Sequence, residues 1–325
     1  MYIDTTVIKI PEIDMFRDSV KVFAPASVSN VGPGFDIMGF ALDEPGDEIF
    51  AERNNTGQLR IKEIFGDDGK LPFDINQNTA TVAIKSMLEK YKIDTGIDIT
   101  IDKKMGIGSG LGSSAASAVG GVFAVNELLD LKLSKDELLL HALNGEAVAS
   151  GAIHADNVAP SLFGGFLLVR DYNPIDIIKI PTPKDLYCTI IYPDIVVKTS
   201  EARKIIDKFF PVKDVVTQAG NSGALIAGLY SGDYDLISRS LVDKIAEHKR
   251  ASFLPFYDDI RDKGKELNAV NCNISGSGPS LFSFSRSLDE ADTLASELKK
   301  IVLDYGFDVK TYVSQINQEG PRILD

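Results

Sequence analysis

The chain has 325 residues, of which 44% are hydrophobic and 25% are charged, and its net charge at pH 7 is −13. This length allows two domains of ordinary size, and no apolar run approaches the ~18 residues that a membrane-spanning helix needs. The acidic balance argues against nucleic acid or an anionic membrane as a partner. The two cysteines are too few for a disulfide framework, and the N-terminus lacks a basic region followed by an apolar one, so we expect a cytoplasmic protein with reduced thiols.

After a segment of unknown role at 1–18, the first half of the chain mixes strands and helices. The predicted elements are a strand at 20–24, a polar loop at 27–36, strands within 37–65, a helix at 79–91, a strand around 97–101, helices near 113–131 and 134–153, and a strand at 163–169. Three prolines between 171 and 184 mark the predicted boundary, so we expect domains over residues 1–175 and 176–325.

The second half continues the same mixture. Its predicted elements are a strand at 186–192, helices at 199–209, 213–231 and 233–249, a strand that leads to Gly276, a strand at 281–285, a helix at 288–304 and a strand near 308–313. Strands and helices mixed in this way favour an α+β class with two layered domains over a doubly wound parallel sheet.

The most informative segment, Gly106-Ile-Gly-Ser-Gly-Leu-Gly-Ser-Ser-Ala-Ala-Ser117, lies between a predicted strand and a predicted helix. Glycines let backbone N–H groups approach an oxyanion, and the first turn of a helix, here with Ser113 as its expected N-cap, adds unpaired N–H groups. The segment therefore predicts a phosphate site, although it lacks the Walker lysine and the spacing of a dinucleotide fingerprint. A glycine-rich turn that only packs a helix closely against a strand is the alternative.

A polar stripe follows further along. Glu146, Ser150 and His154 are four residues apart and would share one face of a helix, with Asn157 about 20° away around an ideal helix. A carboxylate there would hold Mg²⁺, and imidazole or amide groups would orient a polar substrate. A solvated helix face is the alternative.

Two arginines and a second glycine turn add to the pattern. Thr199 can cap a helix that carries Arg203 one turn later, and Arg250 belongs to a small basic patch. The planar fork of arginine suits a carboxylate, although an arginine taken alone is more often part of a surface ion pair than a ligand. Ser275–Pro279 predicts either a turn between strands or a second backbone wall beside the phosphate site.

These segments resemble the three motifs of the GHMP small-molecule kinases, in order: Pro25–Asp36, Gly108–Ser117 and Ser275–Pro279. Residues 30–36 and 154–165 are most similar to the homoserine kinases of that family. The resemblance implies an N-terminal domain like the second domain of ribosomal protein S5, which carries the phosphate loop, and a ferredoxin-like C-terminal domain. It also implies transfer of the γ-phosphoryl group of ATP, with Mg²⁺, to the hydroxyl of L-homoserine for threonine biosynthesis, by a homodimer.

Carried over position by position, the resemblance also implies roles for single residues. Ser114 and Glu146 would hold Mg²⁺, Thr199 would lie near the γ-phosphate, and Asp36 would face the substrate ammonium. The residues that would surround homoserine are Asn30, Asp36, His154, Asn157, Arg203 and Arg250, the last two on its carboxylate. The residues that would bind the phosphates of ATP are Gly108, Ser109, Gly110, Leu111, Gly112, Ser113, Ser114 and Ala115.

The catalytic base is not evident from the sequence, since no lysine partner for an acidic residue stands out. We therefore expect Asn157 and Asp36 to orient the hydroxyl without a strong base. A kinase for mevalonate or a sugar, and a catalytically silent relative that only binds small molecules, are the alternative functions. The arginine pair favours an amino-acid substrate over the first, and the predicted Mg²⁺ ligands argue against the second.

Overall fold

The computed structural model describes residues 17–151 and 153–324, so almost all of the expected N-terminal segment at 1–18 lies outside the described residues. The strands are β1 (Ser19–Ser29), β2 (Met38–Asn54), β3 (Leu59–Phe65), β4 (Gly96–Asp102), β5 (Phe166–Tyr172), β6 (Ile175–Ile180), β7 (Tyr187–Pro193), β8 (Asn273–Ile274), β9 (Leu281–Ser285), β10 (Val309–Gln315) and β11 (Arg322–Leu324). The helices are α1 (Thr79–Tyr91), α2 (Ser113–Leu128), α3 (Lys135–Ser150), α4 (Ala155–Phe163), α5 (Thr199–Lys204), α6 (Val212–Ser231), α7 (Tyr234–Ser240), α8 (Glu247–Arg250), α9 (Tyr257–Glu266) and α10 (Leu288–Asp304).

The first sheet has the strand order β11-β1-β2-β4-β3, and β5 and β6 form a hairpin that joins it through β2. Helices α1 to α4 pack around one another, and α2 and α4 also pack on β1 and β2. The core between these layers is aliphatic, with Ile49, Ile97, Ile99 and Val122 fully buried. Among the described residues, no helix has both the length and the apolar character to cross a membrane.

The second sheet is antiparallel throughout, with the order β10-β7-β9-β8. Numbered within this sheet, the strands follow the order 4-1-3-2 of a ferredoxin-like sheet, with helices in the β7–β8 and β9–β10 connections. The expected α+β class is therefore confirmed, with two separate sheets in place of one doubly wound parallel sheet. The two sheets separate along the chain between Ile180 and Tyr187, and β11 returns to the first sheet.

Elements with strong local signals match their predicted bounds. The helix predicted at 79–91 is α1, whose N-cap Asn78 accepts from the backbone N–H of Ala80, and the helix predicted at 288–304 is α10, capped by Ser287. Both begin where a short polar side chain satisfies a backbone donor of the first turn.

Several predicted elements are wrong in extent, and the helix expected at 199–209 ends at Lys204 as α5. β1 continues through Pro25 to Ser29, because a register shift after the proline lets the strand resume. The single helix expected at 134–153 ends at Ser150, where Gly151 adopts a left-handed conformation, and α4 follows separately. The helix expected at 233–249 is divided into α7 and α8 by residues 241–246.

The two sheets share one buried aromatic cluster. The ring of Phe40 on β2 lies 5.7 Å from that of Phe166, 5.9 Å from that of Phe282 and 5.2 Å from that of Phe284, measured between ring centroids. The last two rings belong to β9 in the second sheet. Phe40 therefore couples the packing of the two halves of the molecule.

We expect Phe40→Ala to lower the free energy of unfolding by about 3–5 kcal/mol. The substitution leaves a cavity between the two sheets, and the sheets cannot both move to fill it. Urea denaturation followed by circular dichroism measures the change. Phe73→Ala is the matched control, since that ring is 56% exposed. Equal losses in the two variants would contradict a special role for the shared cluster.

Candidate active site

The glycine segment forms the connection from β4 to α2. Gly112 is the N-cap of α2 with a φ of +64°, and no side chain at the N-cap bonds the N–H groups of the first turn. The predicted cap, Ser113, is instead the first helical residue, and its hydroxyl donates to the carbonyl oxygen of Met105 at 3.3 Å. A glycine cap leaves the helix N-terminus open to an anion, which is the geometry of a phosphate site.

The second glycine turn lies against this loop. The hydroxyl of Ser275 donates to the carbonyl oxygen of Gly110 at 2.6 Å, and the backbone N–H of Ser280 donates to the carbonyl oxygen of Ser109 at 3.2 Å. Gly110 has a φ of +78°, and a Cβ there would lie 2.7 Å from the carbonyl oxygen of Gly278. The two backbones approach so closely that only glycine fits at position 110.

Part of the loop is turned inward. The side chain of Ser109 is buried and accepts from the backbone N–H of Leu111 at 3.3 Å, while the side chains of Leu111 and Ala115 lie in the apolar core. Of the residues expected to bind phosphate, Leu111 and Ala115 can therefore contribute only backbone groups. Gly108, Gly110 and Gly112 are partly accessible, as is Ser114.

A buried ion pair fixes both ends of the loop. Lys103 and Asp47 form a short salt bridge, with side chains 2% and 0% exposed. Lys103 also donates to the carbonyl oxygen of Ser113 and to the hydroxyl of Ser117, each at 2.8 Å. Asp47 accepts from the backbone N–H of Lys104 and of Met105, and burial raises the pKa of its carboxyl group while Lys103 opposes that rise. The pair therefore joins the entry of the loop to the start of α2.

Asn157 lies beside the open end of α2. Its amide oxygen accepts from the hydroxyl of Ser27 at 3.0 Å, and its amide nitrogen donates to the hydroxyl of Ser29 at 3.0 Å. A Cβ at Gly112 would lie 3.0 Å from the Asn157 amide oxygen. The two serines of β1 thus hold the amide in one orientation next to the phosphate loop.

The expected polar stripe does not lie on one helix, because α3 ends before His154, which is the N-cap of α4. Glu146 and His154 are nevertheless both buried, and the side chain of Ser150 lies outside the described residues. No group of three or more His, Cys, Asp or Glu side chains that could hold a metal occurs among residues 17–151 and 153–324. Mg²⁺ in a nucleotide site needs only one or two protein oxygen ligands besides phosphate, so the Ser114 hydroxyl and the Glu146 carboxylate fit it.

A charged cluster surrounds the ring of Phe35. Arg203 on α5 pairs with both carboxylate oxygens of Asp36, and the guanidinium groups of Arg203 and Arg250 lie 5.8 Å and 5.4 Å from the ring centroid of Phe35. The side chain of Asn30 accepts from the backbone N–H of Asp36 at 2.8 Å, which fixes the turn. The cluster offers two cations and a carboxylate within a small volume.

This cluster reaches the phosphate loop through Arg250. The Arg250 side chain is buried and donates to the carbonyl oxygen of Gly276 at 2.6 Å. The backbone N–H of Gly276 in turn donates to the carbonyl oxygen of Ser29, and a Cβ at Gly276 would lie 3.2 Å from the carbonyl oxygen of Gly110. Gly276 therefore lies between the guanidinium group of Arg250 and the glycine loop.

Thr199 is on the same side but is not a helix cap. It is the first residue of α5, whose N-cap is Lys198, and its hydroxyl lies 3.4 Å from that of Ser277 in the second glycine turn. The hydroxyl of Thr199 therefore lies beside the second glycine turn.

The sequence reasoning missed Asp156, which lies between His154 and Asn157 in the first turn of α4. Asp156 is 1% exposed, and neither carboxylate oxygen bonds another described residue. Burial and the nearby carboxylate of Asp36 raise its pKa to about 7, and burial lowers the pKa of His154. The sequence did contain a signal for Asp156, because an acidic residue lies there between two predicted substrate residues. Phe35 and the pair of Lys103 and Asp47 had no comparable signal.

Comparisons with known proteins agree with this geometry. Models of the GHMP kinases N terminal domain and of the GHMP kinases C terminal region match residues 78–165 and 225–302. A homoserine kinase of Chlorobium phaeobacteroides is 42% identical over 94% of this chain and 99% of its own length. One from Methanococcus maripaludis is 42% identical over 82% of this chain and 88% of its own.

Solved structures give the same result. The crystal structure of homoserine kinase from Cytophaga hutchinsonii has a TM-score of 0.94 and 46% identity, and the match covers 97% of this chain and 100% of that one. A mevalonate kinase of L. major in complex with R-mevalonate shares the fold, with a TM-score of 0.71 at 17% identity over 93% of this chain and 99% of that one. Fold and glycine loop together define a small-molecule kinase. The chain belongs to the GHMP kinases and, within them, to the homoserine kinase family.

We expect Asp156→Asn to change how stability depends on pH. The folded chain holds the Asp156 proton up to a pKa of about 7, against an ordinary value of 3.8, so folding binds a proton between these values and wild-type stability falls as pH rises through them. The variant should therefore gain on the order of 2 kcal/mol relative to wild type between about pH 5 and 8. Urea unfolding without nucleotide or metal measures this. A difference independent of pH would contradict the assignment.

Proposed function

We propose that this protein transfers the γ-phosphoryl group of ATP to the hydroxyl of L-homoserine and forms O-phospho-L-homoserine for threonine biosynthesis. The observation that carries the proposal is the meeting of two sites: an open helix N-terminus behind a glycine loop, and a cluster of two arginines and a carboxylate one residue away. The first suits a polyphosphate and the second suits a zwitterion. The 42–46% identity to homoserine kinases over almost the whole chain supports the choice of acceptor.

The charged cluster would bind the amino-acid part of the acceptor. Arg203 and Arg250 would take the carboxylate, and Asp36 would take the ammonium, with Asn30 and His154 completing the surroundings. In the structure Arg203 pairs with Asp36. Arg203 thus has a carboxylate partner and Asp36 a cationic one, as each would have in the complex with the substrate. We propose that the zwitterion replaces this internal pair, which lowers the cost of burying its two charges.

The glycine loop would bind the phosphates of ATP through the backbone of Gly108–Gly112 and the first turn of α2. Ser114 and Glu146 would hold Mg²⁺, which when bound neutralises charge on the β- and γ-phosphates. The Lys103 and Asp47 pair would keep the loop in register with α2 while the nucleotide enters and leaves.

Asn157 would orient the acceptor hydroxyl. Its amide is held by Ser27 and Ser29 next to the loop. The amide is therefore already in one orientation when the acceptor binds, and it can direct the hydroxyl toward the γ-phosphate. Phosphoryl transfer needs positioning and charge neutralisation more than proton abstraction. Asp36 is engaged by Arg203, which supports a binding role for Asp36 in place of a basic one. Thr199, across from Ser277, would lie near the γ-phosphate.

We further propose that the enzyme works in the cytoplasm, without a nucleic-acid or membrane partner. The net charge of −13 supports the absence of polyanionic partners. Cys188 and Cys272 are buried free thiols, as expected for a reducing compartment. We also propose that the enzyme works as a homodimer, the assembly that the resemblance to the GHMP kinases implies.

A coupled ADP-release assay tests the function. With Mg²⁺ and ATP, we expect turnover on L-homoserine and only background rates on mevalonate, galactose and L-threonine, because only an amino acid with a primary hydroxyl satisfies both sites. Turnover on mevalonate or galactose instead would contradict the choice of acceptor. ATP binding without turnover on any acceptor would favour the catalytically silent alternative.

We expect Arg203→Ala to raise the homoserine KM by about 10- to 150-fold, equivalent to the ~1.5–3 kcal/mol of a charge-assisted hydrogen bond, while kcat changes little. Steady-state kinetics at saturating ATP measure the two constants. Arg170→Ala is the matched control, since Arg170 also pairs with an aspartate but on the exposed β5–β6 hairpin. An unchanged KM with a lower kcat would place Arg203 on the transferred phosphate instead.

A further inference from the structure

Asp36 has an uncommon backbone conformation for a residue with a side chain. Its φ is +59°, in the left-handed region that glycine adopts freely and other residues adopt only at a cost. Asn30, at the other end of the same turn, has a φ of +55°. A residue in this region keeps its conformation only when the surrounding structure holds it there, so the contacts around Asp36 decide its position.

Side chains bind both backbone polar groups of Asp36. Its N–H donates to the side chain of Asn30, and its carbonyl oxygen accepts from the phenol hydroxyl of Tyr172 at 2.8 Å. Tyr172 is the last residue of β5. On the same strand, the backbone N–H of Val169 donates to the carbonyl oxygen of Ile37 at 2.8 Å. Strand β5 therefore bonds two successive carbonyl groups at the end of the turn, and Tyr172 provides the bond to Asp36.

The phenol of Tyr172 stays protonated and can act only as a donor to this carbonyl group. Burial raises the pKa of Tyr172 above its ordinary value of 10, and the carboxylates of Asp156 and Asp36 raise it further. A backbone hydrogen bond from Ala155 and the charge of Arg203 oppose that rise without reversing it. The hydroxyl thus lies among the charges of the proposed acceptor site, next to the first turn of α4.

The backbone conformation of Asp36 decides where its carboxylate lies. In the observed conformation the carboxylate pairs with Arg203, whose guanidinium group lies beside the ring of Phe35. A change from the left-handed to the right-handed region rotates φ by about 120° and moves the Cβ to another side of the chain. A bond to the carbonyl oxygen of Asp36 therefore controls the position of its side chain.

We propose that Tyr172 is a positioning residue for the acceptor: its hydroxyl fixes Asp36 in the left-handed conformation and so holds the Asp36 carboxylate where the ammonium group of the acceptor binds. This rests on the proposed function, in which the ammonium group of homoserine is the partner of Asp36. Tyr172 acts on the binding of the amino group and not on the transferred phosphoryl group. Loss of its hydroxyl therefore weakens acceptor binding and leaves the chemical step unchanged.

Steady-state kinetics of Tyr172→Phe test the proposal. We expect the KM for L-homoserine to rise about 5- to 30-fold, as for one lost hydrogen bond, while kcat and the KM for ATP change by less than about two-fold. Phenylalanine keeps the ring, so the melting temperature should fall by no more than about 4 °C. Tyr305→Phe is the matched control. Tyr305 is 43% exposed against 41% for Tyr172, and its hydroxyl donates to Asp259 at 2.7 Å, between the end of α10 and α9.

Two further measurements separate positioning of Asp36 from a general structural role. 4-Hydroxybutyrate is homoserine without its amino group. Its inhibition constant, measured against the formation of O-phospho-L-homoserine, should change by less than about two-fold in Tyr172→Phe, because this ligand has no ammonium group for Asp36 to bind. In the background of Asp36→Ala, Tyr172→Phe should raise the homoserine KM by less than about two-fold, since no carboxylate remains to be positioned.

An unchanged homoserine KM in Tyr172→Phe, with normal wild-type turnover, would overturn the proposal and leave the proposed function intact. An equal loss of affinity for 4-hydroxybutyrate would do the same, as would fully additive effects of Tyr172→Phe and Asp36→Ala, because either result separates Tyr172 from the ammonium partner. A wild type that does not phosphorylate homoserine would overturn the proposed function, and the role of Tyr172 with it.

Discussion

The phosphate loop depends on the buried ion pair of Lys103 and Asp47. The two side chains join β2, the end of β4 and the first turn of α2, and between them they bond the backbone on both sides of the loop. A buried pair of charges adds little stability compared with apolar packing, but it tolerates only one geometry, because displacement of either partner leaves an uncompensated charge in the interior. A loop of glycines has no side chains to fix its own shape, so this constraint from outside the loop determines where its N–H groups lie.

The charged cluster around Phe35 also contains a pair of opposite charges, but here a ligand can replace either partner. Arg203 and Asp36 satisfy each other at the surface of the site, half exposed, where the pair is weak enough to exchange partners. Arg250 is buried and bonded to Gly276, so it is a fixed cation. One fixed cation and one exchangeable pair suit an acceptor that brings both a carboxylate and an ammonium, and they do not suit an uncharged sugar.

Helix α6 links this site to the outer surface. Its inner side bonds Pro33, in the turn between Asn30 and Asp36, and its outer side is exposed. The turn that carries the predicted substrate residues is therefore supported by this helix. Asp156 is a further buried group of the site. The pKa of its carboxyl group is about 7, and the charges of Asp36, Glu146 and Arg203 act on it.

The sequence by itself determined features whose causes are local. The phosphate loop, the capped helices α1 and α10 and the identity of the family all follow from residues close together in the chain, where glycine conformation, capping and periodicity act. Tertiary structure decided what depends on distant partners: the inward turn of Leu111, the pairing of Lys103 with Asp47 across 56 positions, and the raised pKa of Asp156. Burial and electrostatic interactions act through space, so no local pattern encodes them.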